Sequence, residues 1–268
     1  MRKQFSMKKL QSRSYLLVPA AFLVYLLIRN AWFSIVYQFL LAHIHESVTA
    51  YFVASCVIGL PIFIATWLLH KKKFADSLGL SGNFLKGFFP ALLFTAPMFV
   101  GYSLIYEFNA TLTYTQVAVG ALFAGFFEEL YFRAFFFGLL FRYTRLGFIP
   151  ALLISALIFA SLHLYQSEEP AAMAGIFIAT LMGAGFFAWL YAEWKFNIWL
   201  IVNMHVLMNL SWMLFDAGDN ALGPVLSNIF RAVTIASAIL TTLWIKKRQQ
   251  QKLEVNRNTI WLKAVDNG

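Results

Sequence analysis

Residues 114–141 decide the fold, and they read YTQVAVGALFAGFFEELYFRAFFFGLLF. The stretch is long and apolar enough for a membrane helix, which needs about 20 mainly apolar residues. Its only charged residues are Glu128, Glu129 and Arg133, and charges at membrane depth are costly. Glu129 and Arg133 are four residues apart, so they share a helix face and can pair. Glu128 points about 100° away from Glu129 and has no partner on its own helix.

The whole chain has the composition of a membrane protein. Its 268 residues are 60% hydrophobic and only 12% charged, whereas soluble domains are about 45–50% apolar and about 25% charged. The single cysteine, Cys56, excludes a disulfide scaffold, and the low polarity excludes a disordered tail. We therefore predict an all-α, polytopic helical bundle forming a single domain over residues 1–268. Its transmembrane core spans about 15–245, between a short basic N-terminal tail and a polar C-terminal tail that frays.

About eight segments are apolar enough to cross the bilayer. Spanning β-strands are not expected, because the segments lack alternating polarity. The first segment has the basic start of a signal peptide, but no cleavage site follows and the apolar sequence resumes after Arg29, so we interpret it as a retained helix. The predicted segments are 15–41, 47–69, 87–106, 114–141, 148–164, 171–192, 197–215 and 224–245.

The basic residues lie on one side of the predicted bundle. Eighteen of the 21 Lys and Arg residues lie in the two tails and in the second, fourth and sixth connections. Basic residues stay cytoplasmic, so both termini are predicted to be cytoplasmic. The net charge of +9 then indicates topology and contact with anionic lipids, with no nucleic-acid partner. We expect an integral, multi-pass protein of a prokaryotic cytoplasmic membrane, in which Arg29 and Arg231 snorkel or pair inside the bundle.

Further polar residues lie at the depth of Glu128. At a rise of about 1.5 Å per residue from the cytoplasmic ends, Glu128 lies about 20 Å deep, His163 about 22 Å, Asn209 about 18 Å and His205 about 12 Å. His205 and Asn209 are four residues apart and share a helix face. Either histidine alone would be interpreted as a packing residue. Together, the four polar groups predict an enclosed hydrolytic site in an apolar bundle.

Three motifs contain these residues. Residues 128–133 read EELYFR and match EExxxR, residues 159–163 read FASLH and match FxxxH, and residues 205–209 read HVLMN and match HxxxN. In this order along the chain, they resemble the CAAX protease and bacteriocin-processing family of intramembrane endopeptidases. That family includes the type II CAAX prenyl endopeptidase, the Ras-converting enzyme.

The resemblance implies an eight-helix fold and a glutamate-dependent peptidase mechanism. Glu128 and His163 would hold and deprotonate the attacking water, while His205 and Asn209 would stabilise the oxyanion. The supporting residues implied by the motifs are Glu129, which would pair with Arg133 and fix the helix, and Phe159. The implied substrate is a membrane-associated peptide or protein, prenylated or not.

No cofactor is expected, but zinc is an alternative. Glu128, His163 and His205 would supply the three protein ligands typical of a catalytic zinc centre. No cysteine ligand or HExxH pair supports zinc independently. A metal-free glutamate mechanism is therefore preferred.

Two other classes of function remain open at this stage. One is a non-catalytic membrane scaffold or bacteriocin-immunity protein that retains the motifs for folding. The other is a proton-coupled transporter, prompted by the buried acids and histidines. It is disfavoured because the chain lacks a detectable inverted repeat and matched Gly/Pro helix breaks.

Overall fold

The computed structural model describes residues 2–263, with side chains from residue 10 onward. Met1 and residues 264–268 of the predicted tails lie outside the described residues. The described part of the chain is helical and contains no strand, only an isolated antiparallel bridge between Leu146 and Leu262. The all-α prediction is therefore confirmed.

The helices follow one another with short connections. Their bounds are α1 Arg2–Ile44, α2 Ser47–Ile58, α3 Leu60–His70, α4 Phe74–Ser77, α5 Phe84–Ile105, α6 Tyr114–Val117, α7 Ala124–Glu128, α8 Gly138–Tyr143, α9 Phe148–Ser161, α10 Pro170–Glu193, α11 Ile198–Leu214 and α12 Val225–Arg248.

Residues 114–143, which we call the motif helix, form the centre of the bundle. Two π-helical segments, Ala118–Phe123 and Glu129–Phe137, join α6, α7 and α8 without a break. Every residue from 129 to 141 is buried, as expected for a helix that is apolar on all sides. The motif helix packs against α1, α9, α10 and α11, while α5 packs against α11 and α12.

Five described helices are long and apolar enough to cross a membrane, and a sixth crossing is formed if α2 and its bent continuation count as one span. The two parts of this span meet at an angle of 49°. The bend lies at Gly59, two residues before Pro61, which has no N–H to donate. The shorter α11 is also apolar. The protein is thus an integral, multi-pass membrane protein. The count of eight spans and the cytoplasmic termini stay predictions.

Both predicted tails are more ordered than expected within the described residues. The basic residues before position 15 continue α1, so they form no separate tail. The prediction of a frayed C-terminal tail is wrong for residues 249–263. The buried Glu193 carboxylate accepts hydrogen bonds from the backbone N–H groups of Glu254 and Val255, and the backbone N–H of Gly147 donates to Trp261. Paired backbone groups hold this segment against the bundle.

Candidate active site

A cavity of about 110 Å³ opens between α1, α2, the motif helix and the end of α9. Glu128 and His163, the two residues predicted to activate water, both line it. Arg29 and the phenol rings of Tyr25 and Tyr51 line the same space. The remaining wall is mostly apolar.

Glu128 is the accessible acid of the adjacent pair. It ends α7, and its side chain is 31% exposed, whereas that of Glu129 is fully buried. Among the described residues, the Glu128 carboxylate makes no hydrogen bond. The His205 Nε2 atom lies 4.0 Å from its Oε2. A carboxylate that faces a cavity without a protein partner is available to a water molecule or a substrate.

His163 lies just beyond the end of α9, and its ring is oriented by the residue four positions earlier. The Nδ1 atom lies 2.8 Å from the Phe159 carbonyl oxygen, and because that oxygen can only accept, Nδ1 donates. Nε2 is then the acceptor of the neutral ring. The Phe159 ring packs on the His163 ring at 4.4 Å between centroids and lies 3.9 Å from the Arg133 guanidinium carbon. Phe159 therefore connects the histidine to the charged pair.

His205 is held by the buried acid. Its Nδ1 atom lies 2.7 Å from Glu129 Oε1, and its ring stacks on Phe187 at 5.3 Å. The second oxygen of Glu129 lies 3.4 Å from Arg133 Nε. Glu129 thus contacts a histidine and an arginine at once. The bond to His205 joins residues 76 positions apart, and no local spacing could have predicted it.

Asn209 lies apart from the cavity. Its Nδ2 atom donates to the Gly120 carbonyl at 3.0 Å. Neither Asn209 nor His205 is among the residues that line the cavity. The structure therefore brings Glu128 and His163 into one space, places His205 beside Glu128, and places Asn209 one helical turn farther along α11.

The π-helical segments explain part of this arrangement. A π-helix leaves backbone carbonyls that neighbouring side chains can bond, and such segments are frequent at functional sites. Besides the bond from Asn209 to Gly120, Ser155 donates to the carbonyl of Phe132 at 3.1 Å. Each π-helical segment is thereby tied to a neighbouring helix.

Gly125 allows the motif helix to approach α11. A Cβ atom at this position would lie 2.9 Å from the backbone nitrogen of Val206, a separation that requires one helix to move. Val206 follows His205 directly. The absence of a side chain at Gly125 therefore positions His205 against the two glutamates.

The alternative zinc ligands are not arranged as a metal centre. Among the described side chains, no group of three or more His, Cys, Asp or Glu residues is disposed to hold a metal ion. Of the three alternative ligands, His205 is bonded through Nδ1 to Glu129, and its Nε2 faces Glu128 at 4.0 Å. The zinc alternative and the metal-free mechanism both stay predictions.

Two features of the site were missed by the sequence analysis. Arg29 was expected to snorkel or pair, yet its guanidinium has no hydrogen bond or ion pair to any described residue and lines the cavity. The sequence contains a pattern that could have indicated this position. One face of α1 carries Tyr25, Arg29 and Phe33 at intervals of four residues. Arg231, in contrast, donates to two backbone carbonyls of the loop before α12.

A second FxxxH sequence was also overlooked. Phe39 and His43 repeat the local geometry of Phe159 and His163, with a 2.7 Å contact from Nδ1 to the carbonyl and 4.3 Å between ring centroids. His43 is exposed near the end of α1 and does not line the cavity. The motif alone therefore does not identify the functional histidine.

Part of the chain is similar to a known protein family. Residues 109–211 match the family model described as type II CAAX prenyl endopeptidase Rce1-like. The matched stretch contains all three motifs, so the predicted resemblance to this family is confirmed. The family is one of membrane proteases of the CAAX type. No curated protein and no solved structure matches the chain.

Proposed function

We propose that the protein is an intramembrane endopeptidase of the glutamate type, which hydrolyses a peptide bond of a membrane-associated protein or peptide. The observation that carries the proposal is that His163 and Glu128, whose carboxylate has no hydrogen-bond partner among the described residues, line the same cavity of a largely apolar bundle. An acid with free lone pairs beside a histidine acceptor is suited to general-base chemistry.

In the proposed reaction, a water molecule binds between the Glu128 carboxylate and His163 Nε2. Glu128 takes a proton from the water as the water oxygen attacks the carbonyl carbon of the substrate. The resulting tetrahedral oxyanion collapses, the C–N bond breaks, and the proton passes to the leaving amine. The products are a carboxylic acid and an amine, which become a carboxylate and an ammonium group by exchanging a proton, and Glu128 returns to its starting state.

His205 and Asn209 are the proposed oxyanion donors. His205 donates through Nδ1 to Glu129, so Nε2 donates as well only when the ring is an imidazolium. In that form the charges of Glu128, Glu129, Arg133 and His205 sum to zero, which is favourable in a dry bundle. Asn209 uses one amide hydrogen on Gly120 and retains a second for the oxyanion.

We further propose that the chain crosses a prokaryotic cytoplasmic membrane eight times with both termini in the cytoplasm. This orientation is supported because connections with basic residues alternate with connections that have none. The motif helix and α11 would then supply the two crossings beyond the six identified by length and hydropathy. The substrate would reach the cavity from within the bilayer, prenylated or not.

The experiment compares the membrane peptidome of cells that express the wild type, His163→Ala or His43→Ala. His43 is the matched control, since its local contacts copy those of His163. We expect peptides cut by the wild type and His43→Ala to remain uncut with His163→Ala at equal abundance. Identical peptidomes for all three proteins would refute the proteolytic function and favour a scaffold.

Metal dependence is tested separately on the purified protein. The glutamate mechanism predicts full activity after prolonged chelation, with no stoichiometric metal in the protein. Loss of activity on chelation that zinc restores would overturn the proposed mechanism in favour of the zinc alternative.

A further inference from the structure

The helix that leads to His163 begins without a capping side chain. Helix α9 starts after Gly147, which has no side chain to accept a hydrogen bond. The first four N–H groups of a helix have no partner within it. In α9 three such groups need a partner, those of residues 147, 148 and 149. The fourth position is Pro150, which has no N–H.

The end of the chain supplies the missing acceptors. We call residues 254–263 the C-terminal strap. The N–H groups of residues 147, 148 and 149 donate to the carbonyl oxygens of Trp261, Thr259 and Ile260 at 2.7, 2.7 and 2.9 Å. Each of the three free donors at the start of α9 is therefore bonded by the strap. The strap caps α9 with backbone groups alone.

The strap is also bonded to the neighbouring helices. The backbone N–H of Lys263 donates to the Arg145 carbonyl at 3.0 Å, and its Nζ donates to the Phe141 carbonyl near the end of the motif helix. At the other end of the strap, two backbone N–H groups, those of residues 254 and 255, donate to the Glu193 carboxylate of α10 at 3.1 and 2.9 Å. The strap thus connects the motif helix, α9 and α10.

Helix α9 carries this connection to the site. Ser155, halfway along α9, donates to the Phe132 carbonyl at 3.1 Å. The Phe159 carbonyl bonds His163 Nδ1 at 2.8 Å. A helix is a rigid element that transmits a displacement along its length. The position of the start of α9 therefore affects the position of His163 relative to Glu128.

From these contacts we infer that the C-terminal strap is a positioning element for catalysis, which keeps His163 beside Glu128 by capping α9 and holding the end of the motif helix. This inference rests on the proposed proteolytic function. The strap lies outside residues 109–211, the stretch that matches the family model. Because the strap acts on the geometry around the attacking water, its loss should lower kcat and leave KM unchanged.

Two variants displace the strap in different ways. In Gly147→Ala, the added Cβ atom would lie 2.4 Å from the Trp261 carbonyl group, so the strap must move. Its control is Gly183→Ala, since a Cβ atom at that position of α10 meets no atom within 4 Å. Glu254→Pro removes one N–H bond to Glu193 but no carboxylate of the buried pair with Lys246. Its control is Glu254→Ala, which keeps the N–H.

The experiment measures backbone hydrogen exchange in micelles, together with kcat and KM for a farnesylated peptide that ends in cysteine and three apolar residues. In both displaced variants we expect exchange at residues 147–149 to be about fivefold faster, the effect of one lost hydrogen bond. The kcat should fall about 10- to 100-fold, the effect of moving a reacting group by up to about 1 Å, at unchanged KM. Both controls should match the wild type.

Three results would overturn the inference. The first is unchanged exchange at residues 147–149 in both displaced variants, since the strap would then not cap α9. The second is faster exchange with a wild-type kcat. The third is a change in KM alone, which would indicate an effect on peptide binding.

A disulfide distinguishes lost positioning from general unfolding. Leu146 and Leu262 face each other in an antiparallel bridge, at a Cα separation of about 4.5–5.5 Å that a disulfide can span. Leu146→Cys with Leu262→Cys is added to Glu254→Pro. Oxidation should restore slow exchange at residues 147–149 and the wild-type kcat, and reduction should remove both. Restored slow exchange without restored kcat would contradict the positioning role.

The exchange data separate this inference from the proposed function. If the wild type does not cleave the peptide, but exchange at residues 159–162 rises together with exchange at residues 147–149, proteolysis fails for this peptide and the role of the strap in holding α9 stands. If the wild type and all variants cleave at one rate while exchange at residues 147–149 rises, the positioning role fails and the proteolytic function stands.

Discussion

Replacing Glu129 separates its structural role from its role in positioning His205. The carboxylate is fully buried and contacts His205 at 2.7 Å and Arg133 at 3.4 Å. Glu129→Gln keeps the shape and an acceptor oxygen but removes the charge. Arg133, 3% exposed, is then a buried cation without its carboxylate.

The magnitude follows from these contacts. Leaving one partner of a buried ion pair uncompensated costs about 3–5 kcal/mol, whereas replacing both partners by apolar residues is often neutral. We therefore expect Glu129→Gln to lose about 3–5 kcal/mol of unfolding free energy. A double variant, Glu129→Met with Arg133→Met, should recover the loss that is due to the unpaired Arg133. It should keep a loss of about 1–3 kcal/mol, because the His205 Nδ1 hydrogen has no acceptor. Its activity should stay about 10- to 100-fold low, the usual effect of removing a partner that orients a functional histidine.

The assay pairs denaturant unfolding in detergent micelles with the rate of peptide cleavage. The reasoning on the ion pair is refuted if Glu129→Gln unfolds like the wild type. The positioning role is refuted if the double variant is stable and cleaves at the wild-type rate. Glu129 would then contribute to helix packing alone and would not position His205.

Three further predictions concern the helix contacts around the site and the ends of the bundle. Gly125→Ala should reduce cleavage about 100-fold, the effect of displacing a reacting group by about 1 Å. The reason is that the added methyl group would meet the Val206 backbone. An unchanged cleavage rate would contradict this prediction. Glu193→Gln should lower the unfolding free energy by about 3–5 kcal/mol, because the nearly buried Lys246, 3.2 Å away, loses its carboxylate partner. Denaturant unfolding measures this loss. A loss below about 1 kcal/mol would contradict the prediction. A hydrogen bond from the Thr49 side chain, together with the backbone N–H groups of Thr49 and Val48 at the start of α2, lowers the pKa of Glu46 from 4.5 to about 2. The stabilising effect of Glu46 is therefore complete above pH 4.5 and is lost toward pH 2. The difference in thermal stability between the wild type and Glu46→Gln should therefore shrink across that window, and a difference independent of pH would exclude this cause.

The apolar segments were predictable because membrane helices are set by continuous hydropathy, which is local in sequence. All eight predicted segments are helical in the structure. The interruption of the motif helix by two π-helical segments was not predictable from a pattern that assumes about 100° per residue. Each π-helical turn changes the direction of the side chains that follow it.

The site was predicted in part. The carboxylate pair and the two histidines were identified from their cost at membrane depth. The bond from His205 to Glu129 and the contact of Asn209 with Gly120 depend on how distant helices pack, which sequence spacing does not encode. The place of Arg29 on the cavity wall was not predicted, because snorkelling and cavity lining give the same sequence pattern. Only the inward face of α1 distinguishes them.

The most direct test of the account is the cleavage rate of purified Glu128→Gln against Glu168→Gln. Glu168 is exposed, lies five residues beyond His163 and does not line the cavity, so it controls for the loss of an acid near the site. General-base catalysis predicts that Glu128→Gln is about 100- to 10,000-fold slower than the wild type, while Glu168→Gln matches the wild type. A Glu128→Gln protein that cleaves as fast as Glu168→Gln would contradict the central claim that this carboxylate activates the water.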